Sequence, residues 1–273
     1  MTRTDKRLTI FAYVVLSIIA ITTIFPFFWM VSSSFKDASQ IYDMKLLPSS
    51  PTLDNYKNIF EFSLFPRWFL NSFIVAACTT LSVLFFDSLV GYTLAKYEFP
   101  GKKILFTMIL STLMIPTEML VIPWYMMSKN FGWLDSYWSI MFPGMISAFG
   151  IFLMKQFMTT VPDELMDAAR IDGLSEFRIY WNIVLPLVKP ALATLAIFNF
   201  IGNWNAFMWP LIVSSNSEMY TLPVGLAYFS SEASFQWEQI MTGATVSMIP
   251  LIIVFLIFQK QIIKGIALSG LKG

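Results

Sequence analysis

Long apolar runs dominate the chain, and its polar residues gather between them. A helix needs about 20 apolar residues to cross the hydrocarbon of a bilayer. Six segments meet that length, at roughly 8–31, 68–95, 104–126, 137–157, 187–211 and 239–262. The pattern predicts six transmembrane helices and an all-α, polytopic membrane fold. The first run follows Arg3, Lys6 and Arg7, as a signal peptide would, but it is too long for an h-region and no A-x-A site follows it. It is read as a retained span. Prolines interrupt the later runs: Pro116 and Pro123 in the third, Pro143 in the fourth, Pro210 late in the fifth and Pro250 in the sixth. Each frees a backbone carbonyl that lipid cannot satisfy, so neighbouring helices or a wet cavity must do so. This favours a packed bundle around a pathway. No internal duplication is visible.

Composition narrows the chemistry. Of 273 residues 56% are hydrophobic and 13% charged, about half the charge of an ordinary soluble domain. The net charge of +1 offers no field for nucleic acid. The absence of histidine removes Ser-His-Asp and Cys-His catalysis and histidine metal sites. Gly101-Lys102-Lys103 lacks the glycine-rich run of a P-loop, so the chain binds no ATP by a motif of its own, and no metal site is expected. The single Cys78 reads as a small buried hydrophobe rather than a reactive thiol. With the N-terminus inside, the inner segments hold thirteen cations: Arg3, Lys6, Arg7; Lys96, Lys102, Lys103; Lys155, Arg170, Arg178, Lys189; and Lys260, Lys264, Lys272. The outer segments hold five: Lys36, Lys45, Lys57, Arg67 and Lys129. The positive-inside bias predicts cytoplasmic termini and long outer loops at about 33–67 and 213–238.

Between the fourth and fifth spans stands "PDELMDAARIDGLSEFRIYWNIVLPLVKP", a charged helix–turn–helix. Thr160 and Pro162 form a helix start, with Asp163 and Glu164 in the first turn. Leu165, Ala168 and Ala169 share one face, and Gly173 supplies a left-handed cap. A second helix begins near Ser175, with Phe177, Tyr180, Trp181 and Val184 on one face. The first helix reads either as a solvated interfacial helix or as a plug for a groove in a soluble partner, its alanines permitting close approach.

Asp167-Ala168-Ala169, three residues, Gly173, nine residues, then Ile183-Val184-Leu185-Pro186 resembles the EAA motif of permease subunits in binding-protein-dependent ABC importers, with Asp in place of the usual Glu. "FLNSFIVA", "GYTLAKYEFPGKK", "MIPTEMLVIPWYMM", "YWSIMFPGMISAFGIFLMKQF", "NWNAFMWPL", "TLPVGL" and "GIALSGLKG" resemble the carbohydrate branch, in particular its smaller, maltose-type permease. The resemblance implies a type I importer transmembrane domain in a bacterial or archaeal cytoplasmic membrane. It implies a homologous second permease, two ABC ATPase subunits that bind the ATP and Mg, an extracytoplasmic sugar-binding protein, and a sugar or oligosaccharide cargo. The chain itself is then non-catalytic and holds no cofactor. A polyol, glycerol-phosphate or other oxyacid cargo is the alternative, and an ion-coupled carrier a remote one.

By the same resemblance, Glu164, Asp167, Ala168, Ala169, Arg170, Asp172 and Gly173 couple to an ATPase, and the tail at Gly270, Lys272 and Gly273 either frays or reaches the ATPase interface. Thr221, Leu222, Pro223 and Gly225 are candidate contacts to the binding protein. An ionised group near the bilayer centre costs roughly 2.5–3.5 kcal/mol, so intramembrane polar residues face protein or water. Glu118 is a pathway-lining candidate or sits at the outer interface; Asn203, Trp204 and Asn205 bond across helices or bind sugar hydroxyls; Asp87 meets a structural partner on another helix. The expected organisation is one transmembrane domain, with 1–67 as first span and outer loop, 68–263 as a five-helix core including the loop 159–186, and 264–273 as tail.

Overall fold

The computed structural model describes residues 3–61, 63–229 and 236–270; among them there is no strand. In chain order come α1 (Arg3–Ser34), α2 (Asp54–Glu61), α3 (Phe65–Lys96), α4 (Lys102–Ser111), α5 (Val121–Asn130), α6 (Tyr137–Met141), α7 (Ala148–Thr159), α8 (Asp163–Ile171), α9 (Glu176–Ile179), α10 (Leu185–Leu187), α11 (Lys189–Trp204), α12 (Met208–Val213), α13 (Leu222–Phe229) and α14 (Trp237–Gly270). Three stretches are long and apolar enough to cross a membrane unaided: Leu8–Ser34, Phe65–Lys96 and Trp237–Gln259. Three bent pairs qualify when each is taken as one span: Lys102–Met114 with Thr117–Asn130, bent by 96°; Tyr137–Gly144 with Ala148–Thr159, by 43°; and Glu176–Leu187 with Lys189–Trp204, by 83°. Length and composition therefore allow three continuous crossings, and up to six if each bent pair is one span.

The prolines sort by position. Ile115 precedes Pro116 and is extended, at φ −89° and ψ 116°, and the third run breaks there; proline's ring excludes the α region from the residue before it. Pro143 sits in a 3-10 turn, Phe142–Gly144, at the bend of the fourth run. Pro250 lies inside α14 without interrupting it. The expected fifth span, 187–211, is a correction: α11 ends at Trp204, Asn205 caps it, and α12 begins anew at Met208.

The chain folds as two units, Met1–Pro66 with Gly225–Ile249, and Arg67–Val224 with Pro250–Gly273. Gly225–Ile249 groups with the N-terminal unit rather than with the segments on either side of it in sequence.

In the first unit, the stretch after α1 folds back on the helix end. The Asn55 amide donates to the carbonyls of Ser34 at 2.9 Å and Lys36 at 2.8 Å, and the Thr242 hydroxyl donates to Ser34 O at 3.2 Å. Lys36 is buried, its ammonium donating to the Asp43 carbonyl at 3.1 Å and lying 4.4 Å from the Trp29 ring centroid. A buried cation needs such acceptors and a π-face to offset lost hydration.

In the second unit α3 is the spine. Its polar side chains bond to backbone groups of the later, broken segments. The Trp68 indole donates to Ser217 O at 2.7 Å, and the Asn71 amide to Glu218 O at 2.8 Å and Tyr220 O at 2.9 Å. Ser72 Oγ accepts from Leu222 N at 2.7 Å, and the Ser82 hydroxyl donates to Met145 O at 2.7 Å. Asp87, fully buried, accepts from Ser147 N with both oxygens at 3.1 Å, and Ser147 Oγ in turn accepts from Gly150 N at 2.8 Å to cap α7. The expected partner of Asp87 on another helix is thus the backbone at the start of α7. These residues form the inward face, with Thr79 and Thr80, which leaves Cys78 exposed. The expectation of a buried cysteine is corrected by that rotation of the helix.

Gly150 is pressed against Asp87, and a Cβ there would collide with the carboxylate oxygen. Overpacking of this kind costs about 1–3 kcal/mol. Gly150→Ala is expected to lower the thermal unfolding midpoint of the detergent-solubilised chain. Gly202→Ala, where a Cβ meets open space, is expected to leave the midpoint unchanged or raise it; equal effects of the two would contradict the packing described.

Candidate functional site

The segment between α7 and α11 is built from local signals. The Thr160 hydroxyl donates back to Phe157 O at 2.8 Å. Thr160 therefore closes α7 rather than capping α8, a correction to the expected helix start; Pro162, at φ −61° and ψ 136°, is the N-cap. Asp163 and Glu164 stand in the first turn of α8, where the amide ends of the helix favour negative charge. At the other end Gly173 N donates to Arg170 O at 3.0 Å and Leu174 N to Ala169 O at 3.0 Å. That pair of bonds is a Schellman closure, and it requires the left-handed φ of +80° at Gly173. A Cβ at Gly173 would meet nothing within 4 Å, so the backbone angle alone selects glycine.

The buried face of α8 is Met166 and Ala169, packed into a cluster with Met154, Met158, Val161, Ile179, Tyr180 and Val184. The expected face of Leu165, Ala168 and Ala169 is therefore split. Ala169 packs inward and is not an exposed partner contact. Glu164, Asp167, Ala168, Arg170, Asp172 and Gly173 are exposed, as a docking surface requires. Two apolar residues that sequence reasoning did not place on this surface join them: Leu165 at 45% exposure and Ile171 at 88%. Their signal was the i, i+3, i+6 line Leu165–Ala168–Ile171. The expected aromatic face of the second helix also divides, with Tyr180 and Val184 buried and Phe177 and Trp181 exposed. A π-helical turn, Tyr180–Val184, follows α9 and shifts the register of that face.

Two consecutive residues at the end of α3 hold both ends of α8. The Lys96 side chain, 3% exposed, donates to Asp163 Oδ1 at 2.7 Å and to the Val161 carbonyl. The Tyr97 hydroxyl donates to Glu176 Oε2. Glu176 also accepts from Arg170, from Nε at 2.7 Å and Nη2 at 3.2 Å, while Arg170 Nη1 reaches Asp167 at 2.6 Å. Lys96 thus grips the entry of α8, and Tyr97 grips its exit through the Glu176–Arg170 fork. The hydrogen bond and charge of Lys96 hold the Asp163 carboxyl below its ordinary range, and Arg170, then Tyr97, do the same for Glu176. Burial, then the bond to Glu176, holds the Tyr97 phenol well above its ordinary value.

The other expected site residues lie apart from this clamp. Glu118 is exposed on the 3-10 turn Thr117–Leu120, just past the break at Pro116, and its side chain makes no hydrogen bond or ion pair among the described residues. The Asn203 amide donates to Asn199 O at 2.9 Å and Asn199 Oδ1 at 3.1 Å, and Thr80 donates to the same Oδ1 at 3.2 Å. Asn205 is exposed where α11 ends. Trp204 is a correction: it is 2% exposed, stacked on Phe200 at 5.9 Å and edge-on to Phe69 at 5.3 Å, so its ring belongs to the core rather than to a pathway wall. Thr221, Leu222 and Gly225 are buried and Pro223 half-buried at the start of α13. Leu222 N is held by Ser72, and these residues are not an exposed contact surface; the exposed residues nearby are Ser215, Asn216 and Glu218. Gly270 ends α14, while Lys272 and Gly273 lie outside the described residues. Among the described residues no cluster of His, Cys, Asp and Glu could hold a metal ion.

Residues 87–268 match the family described as binding-protein-dependent transport system inner membrane component. The arabinooligosaccharides transport system permease protein AraQ of Bacillus subtilis (strain 168) is 35% identical over 255 residues, covering 92% of this chain and 91% of that protein. The sn-glycerol-3-phosphate transport system permease protein UgpE of Yersinia pestis bv. Antiqua (strain Antiqua) is 33% identical over 276 residues, covering 97% and 98%. Among solved structures, a chain of a bacterial ABC transporter involved in the import of the acidic polysaccharide alginate superposes with a TM-score of 0.87 at 25% identity, over 95% of this chain and 98% of that one.

The clamp predicts a charge-swap result. Lys96→Asp is expected to expose the 160–176 segment to protease in native membranes, and the added change Asp163→Lys is expected to restore protection. Restoration failing while both variants insert normally would argue against the pairing. Because the Asp163 and Glu176 carboxyls sit below their unfolded values, their contribution is present above about pH 4 and lost as pH falls further. Protection should therefore hold at neutral pH and fail only in strong acid.

Proposed function

This chain belongs to the family of binding-protein-dependent transport system inner membrane components, as a membrane-spanning permease of an ABC importer, and we propose that its cargo is a sugar or oligosaccharide delivered by an extracytoplasmic binding protein. In this reading it shares the pathway with a homologous second permease. Two ATPase subunits carry the ATP and Mg, and the chain itself is non-catalytic and without a cofactor. Its termini and the 160–186 segment face the cytoplasm, in keeping with thirteen cations on that side against five on the other.

One observation carries the mechanism: α8 is a short, capped helix whose outward surface is exposed while both its ends are tied to α3. An ATPase that closes on nucleotide moves as a rigid body and carries α8 with it. The clamp then delivers that displacement to α3 through Lys96 and Tyr97. Glu164, Asp167, Ala168, Arg170, Asp172 and Gly173 form the contact surface, with Leu165 and Ile171 as its apolar anchors. Coupling requires that this contact differ between the two nucleotide states. α1 supports a second subunit: its apolar residues from Leu8 to Phe28 are exposed all round, as a helix covered by lipid or by another protein would be.

The cargo class rests on the relatives and on charge. One relative is named for arabinooligosaccharides and another for sn-glycerol-3-phosphate. A phosphorylated cargo calls for a cation along its route, and in this chain Lys and Arg stand toward the ends of the candidate spans, apart from Lys189 at the bend of the third pair. That favours a neutral sugar over glycerol-phosphate for this subunit's share of the pathway. Glu118 and Asn205, exposed beside helix breaks, are its candidate polar contacts.

Ala168→Trp, on the outward face of α8, is expected to leave membrane insertion at the wild-type level and to reduce ATP-driven uptake at least tenfold; Gly173→Pro is expected to do the same. Uptake assayed in membrane vesicles with the full importer checks this, and normal transport by Ala168→Trp would refute the coupling role. Calorimetry on the binding protein with neutral oligosaccharides and glycerol phosphate decides the cargo: sole binding of the phosphate would reject the sugar reading.

A further inference from the structure

A cleft of about 220 Å³ opens where the end of α3, the first turns of α4 and the side of α7 meet, lined by Leu94, Glu98, Lys102, Lys103, Phe106 and Lys155. Three ammonium groups face one carboxylate. Lys102 pairs with Glu98 at 2.8 Å, which neutralises both. Lys155 lies 4.5 Å from the Phe106 ring centroid, and the Lys103 side chain makes no hydrogen bond or ion pair among the described residues. Among the described residues, two positive charges are left without a carboxylate partner. Lys103 adds to the field at Glu98, whose carboxyl is held low first by Lys102 and further by Lys103.

The walls of the cleft are apolar. Leu94 is buried, and Phe106 stacks on Phe152 with 14° between ring planes. Immediately beyond, α4 turns Ile104, Leu105 and Met108 outward. Unpaired ammonium groups at the mouth of a span, bordered by an exposed apolar helix face, match one class of ligand. A phosphodiester meets the cations while acyl chains lie along the helix. The geometry points to a binding site for the headgroup of an anionic phospholipid, its phosphate shared by Lys103 and Lys155 and its tails running along Ile104, Leu105 and Met108. Free phosphate would satisfy the charges but gain nothing from the apolar face, which is why a lipid is the better fit. The site is independent of the cargo and of the contact surface on α8.

Native mass spectrometry of the full chain, released from detergent after addition of phosphatidylglycerol or phosphatidylcholine, tests it. The expected result is a phosphatidylglycerol adduct on the wild type that falls at least fivefold in Lys103→Gln/Lys155→Gln. It should persist in Lys103→Arg/Lys155→Arg, which keeps the charge, and in Lys129→Gln, which changes a cation of α5 outside the cleft. Equal retention by the Gln and Arg variants, equal retention of phosphatidylcholine, or displacement of the lipid by millimolar inorganic phosphate would each overturn the proposal. Thermal unfolding of the Gln variant at the wild-type midpoint separates loss of the site from loss of the fold.

Discussion

Hydrocarbon offers no hydrogen-bond partner, so every interruption of a helix within it must be closed by the protein itself. This chain contains several interruptions, at Pro116, at the Phe142–Gly144 turn and after Trp204. The one between α6 and α7 is closed by side chains of one helix, which also bond to the loop ahead of α13. α3 is continuous for 32 residues and spends its inward positions on Trp68, Asn71, Ser72, Ser82 and Asp87, each bonded to a backbone group of a later segment. A buried unpaired N–H or C=O costs several kcal/mol in lipid. The polar residues of α3 are therefore what permits the broken helices, and broken helices are what a passage through a bundle is made from.

The same helix ends in Lys96 and Tyr97, and these apply the closing rule once more where the chain leaves the bilayer. Lys96 satisfies the Val161 carbonyl, unpaired ahead of Pro162, and adds a charge contact to Asp163. One helix thus supports the interior and holds the exposed element at its end. In the proposed importer that continuity has a mechanical sense, since a displacement of α8 reaches the spine directly. The lysines on the following turn, Lys102 and Lys103, continue the basic border beside Lys155.

Much of this was legible from residues alone. Apolar run length located six candidate crossings, and the break at Pro116 follows from proline's missing N–H and its effect on the preceding residue. Gly173 was readable as a left-handed cap because a short periodic segment stopped at it. The exposed acidic face of α8 followed from Asp163, Glu164, Asp167 and Asp172. Less legible were features set by rotation about helix axes. Ala169 lies one residue from Ala168, yet one packs inward and the other faces out, because the buried face runs through Met166 rather than Leu165. Trp204 and Thr221 looked like site residues by type and motif, but α3 and its neighbours enclose them. Asn71 and Ser72 were legible only as part of the motif FLNSFIVA, since an amide and a hydroxyl beside apolar neighbours carry no local sign of the partner they will meet about 150 residues later.

The sequence by itself determined the membrane class, the position of the apolar runs, the family motif and the place where the chain turns back on a glycine, because these depend on interactions among residues within a few turns of one another. Tertiary structure alone decided which crossings are continuous, which alanine of the motif is available to a partner, and that Lys96 and Tyr97 hold α8 from both ends. Those outcomes depend on the pairing of α3 with segments 60 to 150 residues away in sequence. A side chain's local pattern states its polarity; only the fold supplies the group that polarity will satisfy.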